Sequence, residues 1–148
     1  MRFAFRKRAP GIFSWLIRMW TRSKYSHVEA VFGVTMISAV EGIGVRSVVL
    51  AEDFDRSKWD VIDVPLLPNE DSDAYMFAMS MLGCKYDWNG IVFCQVVHWG
   101  REHPERWFCS EFCTAIFQAS GKARGVKAYQ QSPGAFCRLL KGYGYALC

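Results

Sequence analysis

The apolar residues of this chain change their spacing part-way along, from a period of two to one between three and four. That change limits the folds open to it. From Tyr25 to about Val64 the spacing is that of strands. His27-Val28-Glu29-Ala30-Val31-Phe32 reads as a strand closed by Gly33, and Met36 to Val40 as a second, stopped by Gly42 and Gly44. Val45 to Leu50 is a third, with Ser47 breaking the apolar run, and Trp59 to Val64 alternates until Pro65 ends it. The connections are short, which predicts an antiparallel meander. Beyond an acidic, cap-rich stretch from Asn69 to Asp73, Ala74, Phe77, Ala78, Met81 and Leu82 mark one helix face, and Gly83 stops the helix. A second helix is predicted from Cys109 to Ser120, with Phe112, Cys113, Ile116 and Ala119 inward and Gly121 just past its end. A third opens at Ser132-Pro133, a cap followed by proline at the first helical position, with Ala135, Phe136, Leu139 and Leu140 on its apolar side. Strands followed by helices, without βαβ alternation, predict an α+β fold. The 148 residues contain no repeat, low-complexity tract or Pro/Gly/Ser linker, so residues 1–148 read as one domain.

Composition removes several functional classes. With 51% hydrophobic and 16% aromatic residues the chain is too apolar to be disordered. The net charge of +4 is modest, and Trp15, Trp20, Trp59, Trp88, Trp99 and Trp107 do not interleave with a basic stripe, so no nucleic-acid partner is expected. No phosphate loop or G-x-G-x-x-G is present. No uncharged apolar run reaches the roughly 18 residues of a membrane span. At the N-terminus Arg2, Arg6, Lys7 and Arg8 precede Ile12, Phe13, Trp15, Leu16 and Ile17, in the manner of a secretory leader. Arg18 and Arg22 interrupt the apolar stretch, however, and no small-residue cleavage site follows. Ile12, Trp15 and Leu16 fit a short amphipathic helix instead. Its basic face is either solvated or rests on an anionic surface, so contact with a membrane surface stays open. Synthesis in the cytoplasm without a signal peptide is the expectation.

The segment most suggestive of chemistry is Trp107-Phe108-Cys109-Ser110-Glu111-Phe112-Cys113. Cys109 falls at the first turn of a predicted helix, where unpaired N–H groups and the helix dipole favour an anion. A thiolate there would be a nucleophile. The plainer alternative is a small buried hydrophobe, and Cys113, one turn on, is read as core. A nucleophilic cysteine needs a base and a group to orient it. His27 at the start of a strand is the candidate base, and Glu29 shares its face. Glu41 is the competing carboxylate, and the hairpin register decides its place. If Gly33-Val34-Thr35 leaves three residues unpaired, position 41 falls opposite 27, and if two are unpaired it turns to the other face. Cys94, His98, His103, Cys109 and Cys113 are metal-ligand types, but the gaps are long and unequal with no C-x-x-C, so no metal and no cofactor is expected. The six cysteines allow three bridges or six thiols.

Together these motifs resemble a known family. Thr21-Arg22-Ser23-Lys24-Tyr25-Ser26-His27-Val28 is similar to the "T-x-S-x-Y-S-H-V" opening of the circularly permuted papain-like hydrolases, the permuted branch of the NlpC-type cysteine peptidase and amidase superfamily that includes YiiX-like proteins. Ala39-Val40-Glu41-Gly42-Ile43-Gly44-Val45 matches its glutamate strand, and Gly83-Cys84-Lys85-Tyr86-Asp87 its "G-x-x-Y-D" turn. Cys109-Ser110-Glu111 matches its "C-S-E" helix start, and Ser132-Pro133 its final helix opening. The resemblance implies a permuted papain-like fold, an antiparallel sheet against helices with the nucleophile at a helix N-terminus. It implies Cys109 as nucleophile, His27 as general base and Glu41 as the orienting third residue, with Glu29 as the alternative. Tyr86, and Ser110 beside the nucleophile, would bind the oxyanion or substrate. The implied activity is a cysteine amidase or endopeptidase, with peptidoglycan peptides or another amide as substrate. Compact permuted members also occur in bacteriophage genomes, which implies a virion-associated cell-wall hydrolase with phage tail proteins as partners. Two alternatives stand beside it: a non-catalytic virion assembly module that keeps the fold, and a lipid acyl hydrolase or acyltransferase. With Cys109 needed as a free thiolate, a complete three-bridge framework is not expected.

Overall fold

Phe3 and Phe5 lie two residues apart, so a strand buries both on one face. In a computed structural model of the chain, residues 1–7, 19, 23–50, 52–87 and 106–147 are described. There Arg2–Arg6 forms strand β1, with Phe3, Ala4 and Phe5 all fully buried. It is followed by β2 (His27–Phe32), β3 (Thr35–Val40), β4 (Gly44–Val49) and β5 (Trp59–Asp63). The five-stranded sheet runs β4-β3-β2-β1-β5, and every neighbouring pair is antiparallel.

The expected meander therefore holds only for β2, β3 and β4. β5 does not join β4. It pairs with β1, with Phe3 opposite Ile62 and Phe5 opposite Asp60. The physical reason is β1 itself. A strand buried on both faces needs ladder partners on both edges for its N–H and C=O groups, and β2 and β5 supply them. The cations at Arg2 and Arg6 hide this strand in the sequence, because they frame only three apolar residues.

One face of the sheet meets three helices, α1 (Pro68–Ser80), α2 (Cys109–Ala119) and α3 (Pro133–Gly142). The shared core joins Phe3, Phe5, Val28, Ala30, Ile37 and Ile62 of the sheet to Phe112, Ile116, Phe117, Phe136 and Leu140 of the helices. Phe3 is edge-on to Phe136 and Phe117, with ring centroids 4.9 and 6.2 Å apart, a favoured geometry for aromatic pairs. The other face carries a smaller cluster of Ala4, Val31, Phe54 and Val61. The helix starts follow the sequence. Ser132 accepts a hydrogen bond from the Ala135 N–H at 3.2 Å, with Pro133 opening α3. α1 stops two residues before the predicted Leu82, which is left 38% exposed.

An ionic clasp fixes the approach to β2. Asp60 of β5 binds Lys7 at 2.8 Å, Lys24 at 2.7 Å and the Tyr25 hydroxyl at 2.7 Å. Partial burial opposes its charge, but hydrogen bonds from Lys24, Lys7 and Tyr25 outweigh that and hold the carboxyl down at about 2. Among the described residues no helix is long and apolar enough to cross a membrane. The predicted Ile12–Leu16 helix lies outside the described residues.

Two outcomes are expected in urea unfolding. Phe3→Ala should cost about 3–5 kcal/mol, the range for removing a buried phenylalanine. Asp60→Asn should cost about 1–2 kcal/mol at neutral pH. Because the folded Asp60 value is depressed from 3.8 to about 2, that cost should be complete above pH 4 and fade towards pH 2.

Candidate active site

Three chain segments converge beside the N-terminal end of α2. The first is the helix start. Trp107, in the two-residue strand β7 (Arg106–Trp107), leads into extended Phe108, and Cys109 is the first helical residue. The Phe108 N–H donates to the Glu111 carboxylate at 3.5 Å, so the N-terminal turn is tied from within. The second is the start of β2. The Cys113 thiol donates to the Val28 carbonyl at 3.7 Å, which seats the first turns of α2 on β2. One helical turn back, Cys109 sits close enough to His27 for its charge to act on the imidazole. Cys109 is 3% exposed, while the His27 side chain keeps 19% exposure.

The third segment is β6 (Lys85–Tyr86), which pairs in parallel with β7 and sets Tyr86 level with Trp107. Its position depends on Gly44. This residue has a φ of +90°, and a Cβ there would collide with the Cys84 carbonyl. The bare backbone lets Val45 donate to the Cys84 carbonyl at 2.8 Å and Gly83 donate to the Val45 carbonyl at 3.0 Å. β4 thereby holds the turn that delivers Tyr86 to Cys109. Burial, with the charges of Cys109, Glu41 and Asp87 nearby, raises the Tyr86 hydroxyl well above its ordinary value. It stays an O–H donor across the working pH range.

The carboxylate hydrogen-bonded to His27 is Glu29. Its Oε1 lies 3.3 Å from His27 Nε2. The hairpin leaves two residues unpaired, since Phe32 pairs with Thr35 across Gly33-Val34. Gly33, at φ +57°, supplies the left-handed conformation such a turn uses. Continued, this register sets position 27 opposite 40. Glu41 instead lies exposed in the turn before β4, with its charge bearing on Tyr86. The orienting role expected for Glu41 has no counterpart in a contact with His27, and the two-residue turn is the reason. Ser110 is fully buried, and its hydroxyl has no hydrogen-bond partner among the described residues.

Glu29 is 5% exposed, and its surroundings explain how it keeps a charge there. Burial pushes its carboxyl up, but His27 above all, then Arg46 and Arg6, bring it below the usual value. Arg46 Nη2 lies 3.7 Å from the same Oε1 that faces His27. Sequence reasoning missed Arg46. The pairing in the assembled sheet brings it there: Arg46 lies opposite Ser38, and the β2–β3 register carried one step sets Ser38 opposite Glu29. For His27, burial opposes the imidazolium, yet nearby Cys109, followed by the hydrogen bond and charge of Glu29, raises it from 6.5 to about 9. Burial raises the Cys113 and Cys137 thiols, and Cys84, Cys109, Cys113 and Cys137 are free. Cys94, His98 and His103 lie outside the described residues, and among those described no group of three or more ligand-type residues could hold a metal.

No family model matches the chain. It is similar to a protein of Escherichia coli (strain K12) named probable lipoprotein peptidase YaeF, 28% identical over an alignment 143 positions long that covers 75% of this chain and 52% of that protein. The chain thus spans about half the length of this relative.

An NMR titration of the His27 ring checks the electrostatics. A midpoint near 9 is expected, so the imidazolium's contribution to stability is complete below pH 6.5 and lost as pH rises through 9. In Cys109→Ala the midpoint should fall by at least about one unit, as the largest favourable partner is removed. An unchanged midpoint would mean that Cys109 does not act on His27.

Proposed function

We propose that this chain is a cysteine hydrolase of the amidase or peptidase class, with Cys109 as nucleophile, His27 as acid and base, and Glu29 as the orienting residue. The observation that carries the reading is the placement of Cys109, at the first residue of α2, near enough for its charge to act on His27, which is itself hydrogen-bonded to the buried Glu29. The similarity to a protein named a peptidase supports the hydrolase class. The resemblance of the sequence motifs to the permuted NlpC-type hydrolases supports amide bonds of peptidoglycan peptides as substrate.

The chemistry follows from the geometry. With Nε2 engaged by Glu29, Nδ1 is the nitrogen left for the cysteine proton. A thiolate–imidazolium pair forms, and the sulfur adds to the amide carbonyl carbon. The developing oxyanion is met by the Cys109 backbone N–H, at the positive end of α2, and by the Tyr86 hydroxyl. The C–N bond breaks as His27 gives its proton to the departing amine, which leaves a thioester on Cys109. His27 then takes a proton from water, hydroxide adds to the thioester, and the C–S bond breaks. The carboxylic acid leaves, losing its proton to solvent, and the ion pair is restored.

Release of fragments from purified peptidoglycan and from muropeptides tests the proposal. Cys109→Ala and His27→Ala should each lower the rate by at least about 10³-fold with the fold intact by circular dichroism. Glu29→Gln should lose about 10²–10⁴-fold, and Glu41→Gln far less. Full activity in either Cys109→Ala or His27→Ala would overturn the mechanism. Cleavage of lipid esters, with peptidoglycan untouched, would overturn the substrate class.

A further inference from the structure

The mechanism proposed above uses Cys109, His27 and Glu29, and it leaves Arg46 without a part. Yet Arg46 reaches across from β4 to the one carboxylate oxygen that also faces His27, at 3.7 Å against 3.3 Å. Glu29 is 5% exposed. A carboxylate buried so far from water is costly unless another charge balances it. His27 cannot supply that balance alone. In the reactive state its positive charge is matched by the Cys109 thiolate, so Cys109 and His27 together are neutral. Glu29 would then be a net buried anion.

We propose that Arg46 is a positioning residue of this active site, which keeps Glu29 ionised and fixed so that Glu29 can orient His27. The inference rests on the Cys109–His27–Glu29 reading. Four groups then alternate in sign through the site, from the sulfur of α2 to the imidazole and carboxylate of β2 to the guanidinium of β4. Among the described residues, the other cation bearing on Glu29 is Arg6 on β1, whose guanidinium lies 5.6 Å from the Trp59 ring centre. Arg6 adds positive potential, whereas the ion pair with Glu29 belongs to Arg46. Ser38 lies between Glu29 and Arg46 in the strand order, and its buried hydroxyl makes no hydrogen bond among the described residues, so it does not take over the task. Among the described residues, the groups that bear on His27 are Cys109 from α2 and Glu29 from its own strand, and the charges of Cys109 and Glu41 both bear on Tyr86.

Loss of Arg46 should let Glu29 take up a proton at a higher pH. The cysteine–histidine pair then loses its orienting partner on the acid side, while the alkaline side, set by His27, changes less. The test follows the rate of Cys109 alkylation by iodoacetamide against pH, with the labelled peptide identified by mass. Arg46→Gln should move the acid limb up by about one unit, which lowers the rate about tenfold at pH values below that limb. Arg46→Lys, which keeps the charge, should recover most of that loss. In a Glu29→Gln background, Arg46→Gln should have no further effect on the limb. A carbon-13 titration of the Glu29 carboxyl in the unaltered protein needs no variant, and its midpoint should lie below the ordinary 4.5. A midpoint at or above that value overturns the inference even if Arg46→Gln fails to fold. So does an unmoved acid limb in Arg46→Gln while Cys109 of the unaltered protein remains hyper-reactive. If Cys109 of the unaltered protein reacts no faster than Cys84, the reading beneath the inference fails instead.

Discussion

The geometry of this protein depends on how the first turns of α2 seat against the start of β2. The Cys113 thiol meets the Val28 carbonyl, and Phe112 and Ile116 lock the helix into the aromatic core built on Phe3 and Phe5. Val28 follows His27 directly, and Cys113 follows Cys109 by one turn. Seating the helix therefore brings imidazole and sulfur together without any further contact. The core also keeps the pair in place. Phe5 lies opposite Val28, and the Asp60 clasp fixes the chain just before His27. The bare backbone of Gly44 then lets β4 carry Tyr86 to the same spot. Packing energy and site geometry are one problem here, because the same strand and helix serve both.

The second constraint is electrostatic. Buried ionisable groups persist only in balanced sets. His27 is raised to about 9 although burial alone would lower it, and Glu29 is held below its usual range although burial alone would raise it. Each shift has the sign of a paired charge and the opposite sign to simple desolvation. Such opposed shifts on adjacent groups are a mark of functional sites, and structural ion pairs also produce them. The cysteine at a helix start, a group with no structural need for an imidazolium beside it, is what the functional proposal rests on.

Much of this was legible in the sequence, and the losses have physical causes. β2, β3 and β4, α2 and the Ser132–Pro133 helix start follow from period, glycine stops and caps. β1 was hidden because three apolar residues between two arginines are too few to show a period. Its absence from the reading then made β5 a false neighbour of β4. The choice between Glu29 and Glu41 hung on a single unpaired residue in the Gly33-Val34 turn, a quantity that sequence spacing does not fix. Ser110 shares a motif with Cys109, but the helical turn of about 100° per residue points the two side chains in different directions. Arg46 belongs to a strand pairing two strands away from Glu29, and only the assembled sheet brings them together.

Competitive labelling tests the central claim most directly. The protein is treated at neutral pH with less than one equivalent of iodoacetamide, and the modified cysteine is mapped by mass spectrometry. Access alone favours Cys84, which is half-buried, over Cys109, Cys113 and Cys137, which are buried. An activated Cys109 should nonetheless take most of the label, and His27→Ala should abolish that preference. Label that falls first on Cys84, or preference for Cys109 that survives His27→Ala, would contradict a cysteine–histidine nucleophile in this fold.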